Sequence, residues 1–199
     1  MNKQQTLSLL ALCGLIVVLL GGCAANSPPI AYYSLSGSQP APVKPDQRHF
    51  AVQIGPVTLP DLLKRSQIVL GVPEQHYQLS DQHRWAGELD REFARALGEQ
   101  VAAQLGTEQI ALFPADGHLQ LTDQVLLDIL SLEGSLGKEA VLIVRWTVVD
   151  PATKAARLTR RSTCTTVPGD GSHGAWVAAQ RSNIGKLGAE VAAALRTMH

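Results

Sequence analysis

Residues 124–167 read QVLLDILSLEGSLGKEAVLIVRWTVVDPATKAARLTRRSTCTTV, and this stretch decides the fold class. Three apolar segments, 124–132, 139–150 and 155–167, carry the alternation of half-buried strands. Gly134-Ser135-Leu136-Gly137-Lys138 separates the first two, and Asp150-Pro151-Ala152-Thr153-Lys154 separates the last two; both read as hairpin loops. Links this short favour antiparallel pairing, because a parallel crossover takes about a dozen residues or more.

Upstream lies the clearest helical pattern. Trp85, Leu89, Phe93, Leu97, Val101 and Leu105 recur every four residues and form one stripe, so a helix is predicted over 85–105 with Gly106 as its stop. Downstream, Trp176, Ile184, Leu187, Val191, Leu195 and Met198 predict a second helix over 174–197. Strand-like runs also occupy 31–35, 50–55, 67–72, 76–79 and 110–113, with a turn at Pro73-Glu74. Pro56 and Pro60 limit any helix nearby to one short turn over 61–65. The order is strands, helix, strands, helix. We therefore expect a single α+β domain, a mostly antiparallel or mixed β-sheet packed with two main α-helices.

The N-terminus has a different character. Lys3 is followed by an apolar run from Leu7 to Leu20, and Leu20-Gly21-Gly22-Cys23 closes it. This is the layout of a secretory signal, and Leu-x-Gly-Cys matches the bacterial lipobox. Cleavage before Cys23 would leave that cysteine to carry diacylglycerol on sulfur and an acyl chain, of the palmitate kind, on its amine. The apolar run is short of the roughly 20 residues that span a bilayer. The expected organisation is thus a cleaved signal over 1–22, then lipidated Cys23, tether and first short strand over 23–48, then the α+β domain over 49–199. Ala24 follows the anchor. Inner-membrane retention typically uses Asp there, so the general sorting rule favours the periplasmic face of the outer membrane.

Removing residues 1–22 from the 199 leaves 177, and loses only Lys3 among the charged residues, giving 16 basic against 17 acidic side chains. A net charge of −1 offers no surplus to neutralise phosphates, which argues against nucleic acid. Cys164 is then the one thiol besides Cys23, so neither an internal disulfide nor a Cys-x-x-Cys metal pair is expected. It reads as a small buried filler.

The remaining motifs fail as chemistry. Gly169-Asp170-Gly171-Ser172-His173-Gly174 spells G-x-G-x-x-G, but no following strand completes a dinucleotide unit, so a turn with Ser172 or Asp170 as helix cap is expected. Gly137-Lys138 lacks the earlier glycine and the following Ser/Thr of a phosphate loop, since Leu132 and Glu139 stand there. His76, His83, His118 and His173 are scattered. His83, between Asp81 and Trp85, is a candidate catalytic or metal residue but reads as decoration of a first helical turn capped by Ser80 or Asp81. Glu88, Asp90, Glu92 and Glu99, interleaved with Arg91 and Arg95, read as a solvated, mutually paired helix face rather than catalytic carboxylates. Trp85, Trp146 and Trp176 fall at core positions. No catalytic residue, metal ligand or cofactor site is expected, and no enzyme.

Three stretches together carry a family resemblance. Tyr32-Tyr33-Ser34-Leu35 follows the lipobox. Gly55-Pro56-Val57-Thr58-Leu59-Pro60-Asp61-Leu62-Leu63-Lys64-Arg65-Ser66-Gln67-Ile68-Val69 has the pattern G-P-V-x-x-P-x-x-x-x-R-x-Q-I-V. His83-Arg84-Trp85-Ala86-Gly87-Glu88-Leu89-Asp90 comes third. The mature chain resembles the ABC-type transport auxiliary lipoprotein family (PqiC/YmbA-like), with Leu62 where members often carry Tyr and Ser66 where they carry Pro. The resemblance implies an outer-membrane lipoprotein with no catalytic residues, working with an MCE-domain periplasmic protein (PqiB-like) and an integral inner-membrane protein (PqiA-like). Such systems carry lipids or other hydrophobic molecules between membranes and support envelope integrity. A ring-shaped homo-oligomer is a further expectation. The competing readings are a periplasmic lipid-binding shuttle, which needs an apolar pocket, and an envelope hydrolase, which needs a nucleophile and base.

Overall fold

The computed structural model describes residues 28–37, 48–71, 76–114 and 119–199. Cys23, the signal, most of the tether, the turn at Pro73-Glu74 and His118 lie outside the described residues. Among the described residues, eight strands and two helices occur in the order β1 (Ala31–Tyr33), β2 (Val52–Thr58), β3 (Gln67–Gly71), β4 (Tyr77–Trp85), α1 (Leu89–Leu105), β5 (Ile110–Leu112), β6 (Asp123–Ser135), β7 (Glu139–Val149), β8 (Ala156–Thr166) and α2 (His173–Met198). One 3-10 turn, Asp61–Leu63, follows Pro60. This is an α+β domain on one mixed sheet.

The three strands of residues 124–167 form the antiparallel part, β6–β7–β8. Their inward residues are the buried ones: Val125, Leu127 and Ile129 on β6, Leu142, Val144 and Trp146 on β7, Cys164 on β8. An extra residue at Leu130 shifts the register between Ile129 and Ser131. That bulge switches the buried set from odd to even positions, so Leu132 and Gly134 face inward after it. Gly134 belongs to the strand rather than to the loop: it pairs with Ala140 at φ +136°, and a Cβ there would lie 2.1 Å from the Glu139 carbonyl oxygen. The loop shrinks to Leu136-Gly137-Lys138. At the other hairpin the Asp150 carboxyl accepts the Thr153 and Ala152 N–H groups and the Arg157 guanidinium. The Thr153 bond first, then Arg157, holds it down to about 2.

On its other edge β6 is shared. Its first half pairs in parallel with β2, and Gly134 near its end pairs with Gly71 of β3. β2 also pairs in parallel with β5, and β3 leads antiparallel to β4, which pairs in parallel with β1. The sheet therefore forks, and α1 and α2 pack together against one face. Gly188 makes that approach possible, because a Cβ on it would stand 2.6 Å from the Gln100 Cβ. Phe93, Leu97, Val101 and Leu105 are almost fully buried, and Gly106 closes α1 at φ 65°.

One boundary departs from the sequence reading. The helix expected from Trp85 begins at Leu89, and 77–85 is strand β4. Trp85 is the last inward residue of that strand, 4% exposed, and its N–H donates to the Ser66 carbonyl at 2.7 Å. It falls four residues before Leu89 by coincidence of spacing, and so counterfeits a helical stripe. Ser80 and Asp81 consequently cap nothing.

Candidate functional site

The blocks G-P-V-x-x-P-x-x-x-x-R-x-Q-I-V and H-R-W-A-G-E-L-D are joined through residues 70–82, and the pairing of β3 with β4 brings them face to face. β3 pairs with β4 so that Gln67 sits opposite Arg84, while Trp85 N–H bonds Ser66. Between the end of β2 and the first turn of α1 they enclose an open groove of about 750 Å³. Leu59, Trp85 and Leu89 are buried and form its floor; Lys64, Arg65, Glu88 and Arg91 are exposed along its rim. Pro60 and the 3-10 turn present the two basic residues here. Lys64 Nζ meets Asp61 at 2.8 Å and holds its carboxyl below the usual carboxylate range, by hydrogen bond and then by charge. Arg91 Nε meets Glu88 at 2.8 Å. An apolar floor with alternating charges at the rim suits a polypeptide surface; none of these groups forms a nucleophile–base pair.

The second constellation is where the tether joins the body. The Ser34 hydroxyl and the Leu35 N–H both donate to the Glu92 carboxylate on α1, and Arg181 Nε on α2 donates to the Ser34 carbonyl at 3.0 Å. Glu92 is thus a latch, which corrects its assignment to a solvated paired face. The Glu88–Arg91 pair does keep to that face. Beside the latch, Tyr33, His83 and His173 stack: His83 and His173 lie 3.6 Å apart between ring centroids at 8°, and Tyr33 lies 5.8 Å from His83. His83 Nδ1 shares a 2.8 Å hydrogen bond with Ser80 Oγ. His83 is therefore a strand residue held in a ring stack, not a decoration of a helical turn.

The other candidates are structural. Cys164 is 4% exposed, and burial, then the nearby Glu190 carboxylate, pushes its thiol up, the opposite of an activated nucleophile. Ser172 caps α2 by accepting the Ala175 N–H at 3.1 Å, and Asp170 accepts the Ser172 N–H at 2.7 Å. Trp85, Trp146 and Trp176 are 4%, 0% and 0% exposed. Among the described residues no group of three His, Cys, Asp or Glu side chains is placed to hold a metal, and no helix is long and apolar enough to cross a membrane.

Residues 33–192 match the sequence profile of the ABC-type transport auxiliary lipoprotein component. The chain belongs to that family. Both blocks lining the groove lie inside the match. Two solved structures share the auxiliary-lipoprotein fold. A crystal structure of a protein of unassigned function superposes with TM-score 0.67 at 15% identity, over 84% of this chain and 99% of that one. A DUF330 protein from Xanthomonas campestris superposes with TM-score 0.61 at 12% identity, over 81% and 92%. No curated protein sequence matches the chain significantly. The family is one of transport auxiliary lipoproteins and not a known enzyme family.

The ring stack gives the auxiliary lipoprotein a pH dependence. Burial, and then the neighbouring His83, lowers the His173 affinity for protons below that of a free imidazole. The unfolded chain therefore binds more protons as pH falls through about 6.5, and the native state loses stability in that direction. Urea midpoints are expected to fall between pH 7.5 and pH 5.5, and His173→Gln should shrink the fall. An equal fall in both proteins would remove His173 as its source.

Proposed function

We propose that this chain is a lipoprotein on the periplasmic face of the outer membrane, acting as a homo-oligomeric accessory subunit of an MCE-type (Pqi-like) intermembrane lipid transport system that supports envelope integrity. The observation that carries this reading is the groove: the two most specific blocks of the sequence, separate along the chain, meet there and build no reaction centre. Residues held together for chemistry would include a base beside a nucleophile. Residues held together for docking need an apolar floor and a charged rim, which sets register and speeds encounter. The family's transport role supports the assignment of that groove to a partner subunit, the MCE-domain periplasmic protein, with the inner-membrane protein further along the assembly. Anchoring confines the domain to one surface and raises its effective concentration for that encounter.

A photo-crosslinking residue at Arg65, in the native envelope, tests this. The expected product is an adduct with an MCE-domain protein. The double reversal Lys64→Glu/Arg65→Glu should lower recovery of that partner about tenfold. Both residues are exposed, so the fold should survive the change. A gene deletion that alters neither envelope permeability nor the partner's associations would refute the assignment.

A further inference from the structure

The strand through which the tether enters has two unlike faces. Leu35 is 1% exposed and Tyr33 stacks on His83, so the odd-numbered side chains point into the body. Ile30 and Tyr32 alternate with them and are 42% and 63% exposed. Among the described residues β1 pairs only with β4, so these two side chains sit at an edge of the sheet. Pro28 and Pro29 guard the entry to this edge, but the residues that follow them on its exposed face are a large aliphatic and an aromatic side chain. A tyrosine with an apolar ring and a polar tip is suited to the boundary between lipid and water.

Covalent geometry narrows what that face can meet. Ile30 stands seven residues after Cys23. Seven residues span at most about 25 Å in any conformation. The latch of Glu92 and Arg181 on Ser34 then fixes the direction of β1 relative to both helices. Ile30 and Tyr32 thus lie within the anchor's reach.

We propose that Ile30 and Tyr32 rest in the headgroup region of the bilayer that holds Cys23, so that the domain stands with its β1 edge on the membrane. This rests on lipidation of Cys23. The occupant of the face is a phospholipid surface, and its effect is orientation: the groove between β2 and α1 is presented at a fixed angle to the bilayer instead of swinging on a loose tether.

The full-length lipidated protein is reconstituted into phosphatidylethanolamine/phosphatidylglycerol vesicles with or without brominated acyl chains. Tyr32→Trp and Tyr77→Trp are compared. Tyr77 lies at the far end of β4, about 23 Å along the strand from the partner of Tyr32. The buried native tryptophans supply a background measured on the unsubstituted protein. Brominated lipid is expected to quench about half of the emission added by Tyr32→Trp, and little of that added by Tyr77→Trp. Ile30→Trp should repeat the result. Flotation of the unsubstituted protein is scored first. If it does not float, the lipidation reading fails and this proposal with it. If it floats and the added tryptophan at 32 is unquenched, or is quenched no more than that at 77, orientation alone is overturned. Blue-shifted Tyr32→Trp emission without lipid would mean a protein covers the face, which also overturns it.

Discussion

With residues 1–22 replaced by a secretory signal whose cleavage needs no cysteine, Cys23→Ala is expected to move essentially all of the protein from the membrane fraction to the soluble periplasmic fraction. Each buried methylene of an acyl chain contributes about 0.8 kcal/mol, so several chains hold where one binds only reversibly. Among the described residues nothing replaces them. The domain carries a net charge of −1 after loss of the signal, with no basic run beside the anchor. Among the described residues no helix is long and apolar enough to cross a membrane. The Ile30–Tyr32 face is too small to retain the protein unaided, since a single acyl chain of far greater apolar area already binds only marginally. The fold should be untouched, because Cys23 stands eight residues before β1. Fractionation and thermal unfolding together check both halves of the expectation. A variant that still sediments with membranes would show a second anchor. One that unfolds at a lower temperature would show that the position has a structural role.

How far this could be read from sequence depended on whether the signal was local. β6, β7 and β8 were legible because alternation and short loops are local, and the domain class followed from them. The bulge at Leu130 was not legible: nothing in the letters says that one residue is left unpaired, although the switch of buried positions from Ile129 to Leu132 is its trace. Trp85 misled because a four-residue spacing does not distinguish a helix from a strand end followed by a helix. Glu92 misled for a related reason. Acidic and basic residues at helical spacing look the same whether they face water or clasp a distant segment, and Ser34, which decides between these, is 58 residues away. The stack of His83 on His173 joins positions further apart still, and neither of the motifs in which they stand announces their meeting. The groove occupies the middle ground. Its two blocks were visible as a family signature, but their meeting is a property of the β3–β4 pairing and the turn after Pro60.

Trp146→Ala should produce the largest loss of stability of any single core truncation. The indole is 0% exposed at the middle of β7, opposite Leu127 on β6 and Arg160 on β8. Its N–H donates to Ser162 Oγ at 2.9 Å, and Ser162 in turn donates to the Glu190 carboxylate on α2. The side chain therefore fills the space between sheet and helix and also supports a polar link between them. Truncating a buried tryptophan costs about 3–5 kcal/mol through lost transfer energy and the cavity left behind. Against a total of about 5–15 kcal/mol, that is a large fraction of the fold's stability. For a chain of this length it lowers the unfolding temperature by about 6–20 °C. Trp146→Phe separates the two contributions, because it keeps most of the apolar volume and loses the N–H donor, at a cost nearer 1–2 kcal/mol. Ser162→Ala approaches the same bond from its other end and leaves the indole N–H buried without an acceptor, for about 1–3 kcal/mol. The order Trp146→Ala worse than either conservative change follows if volume dominates at this position. Equal losses for Trp146→Ala and Trp146→Phe, read from thermal or urea unfolding, would instead assign the stability of the sheet–helix junction to the Trp146–Ser162–Glu190 chain of hydrogen bonds.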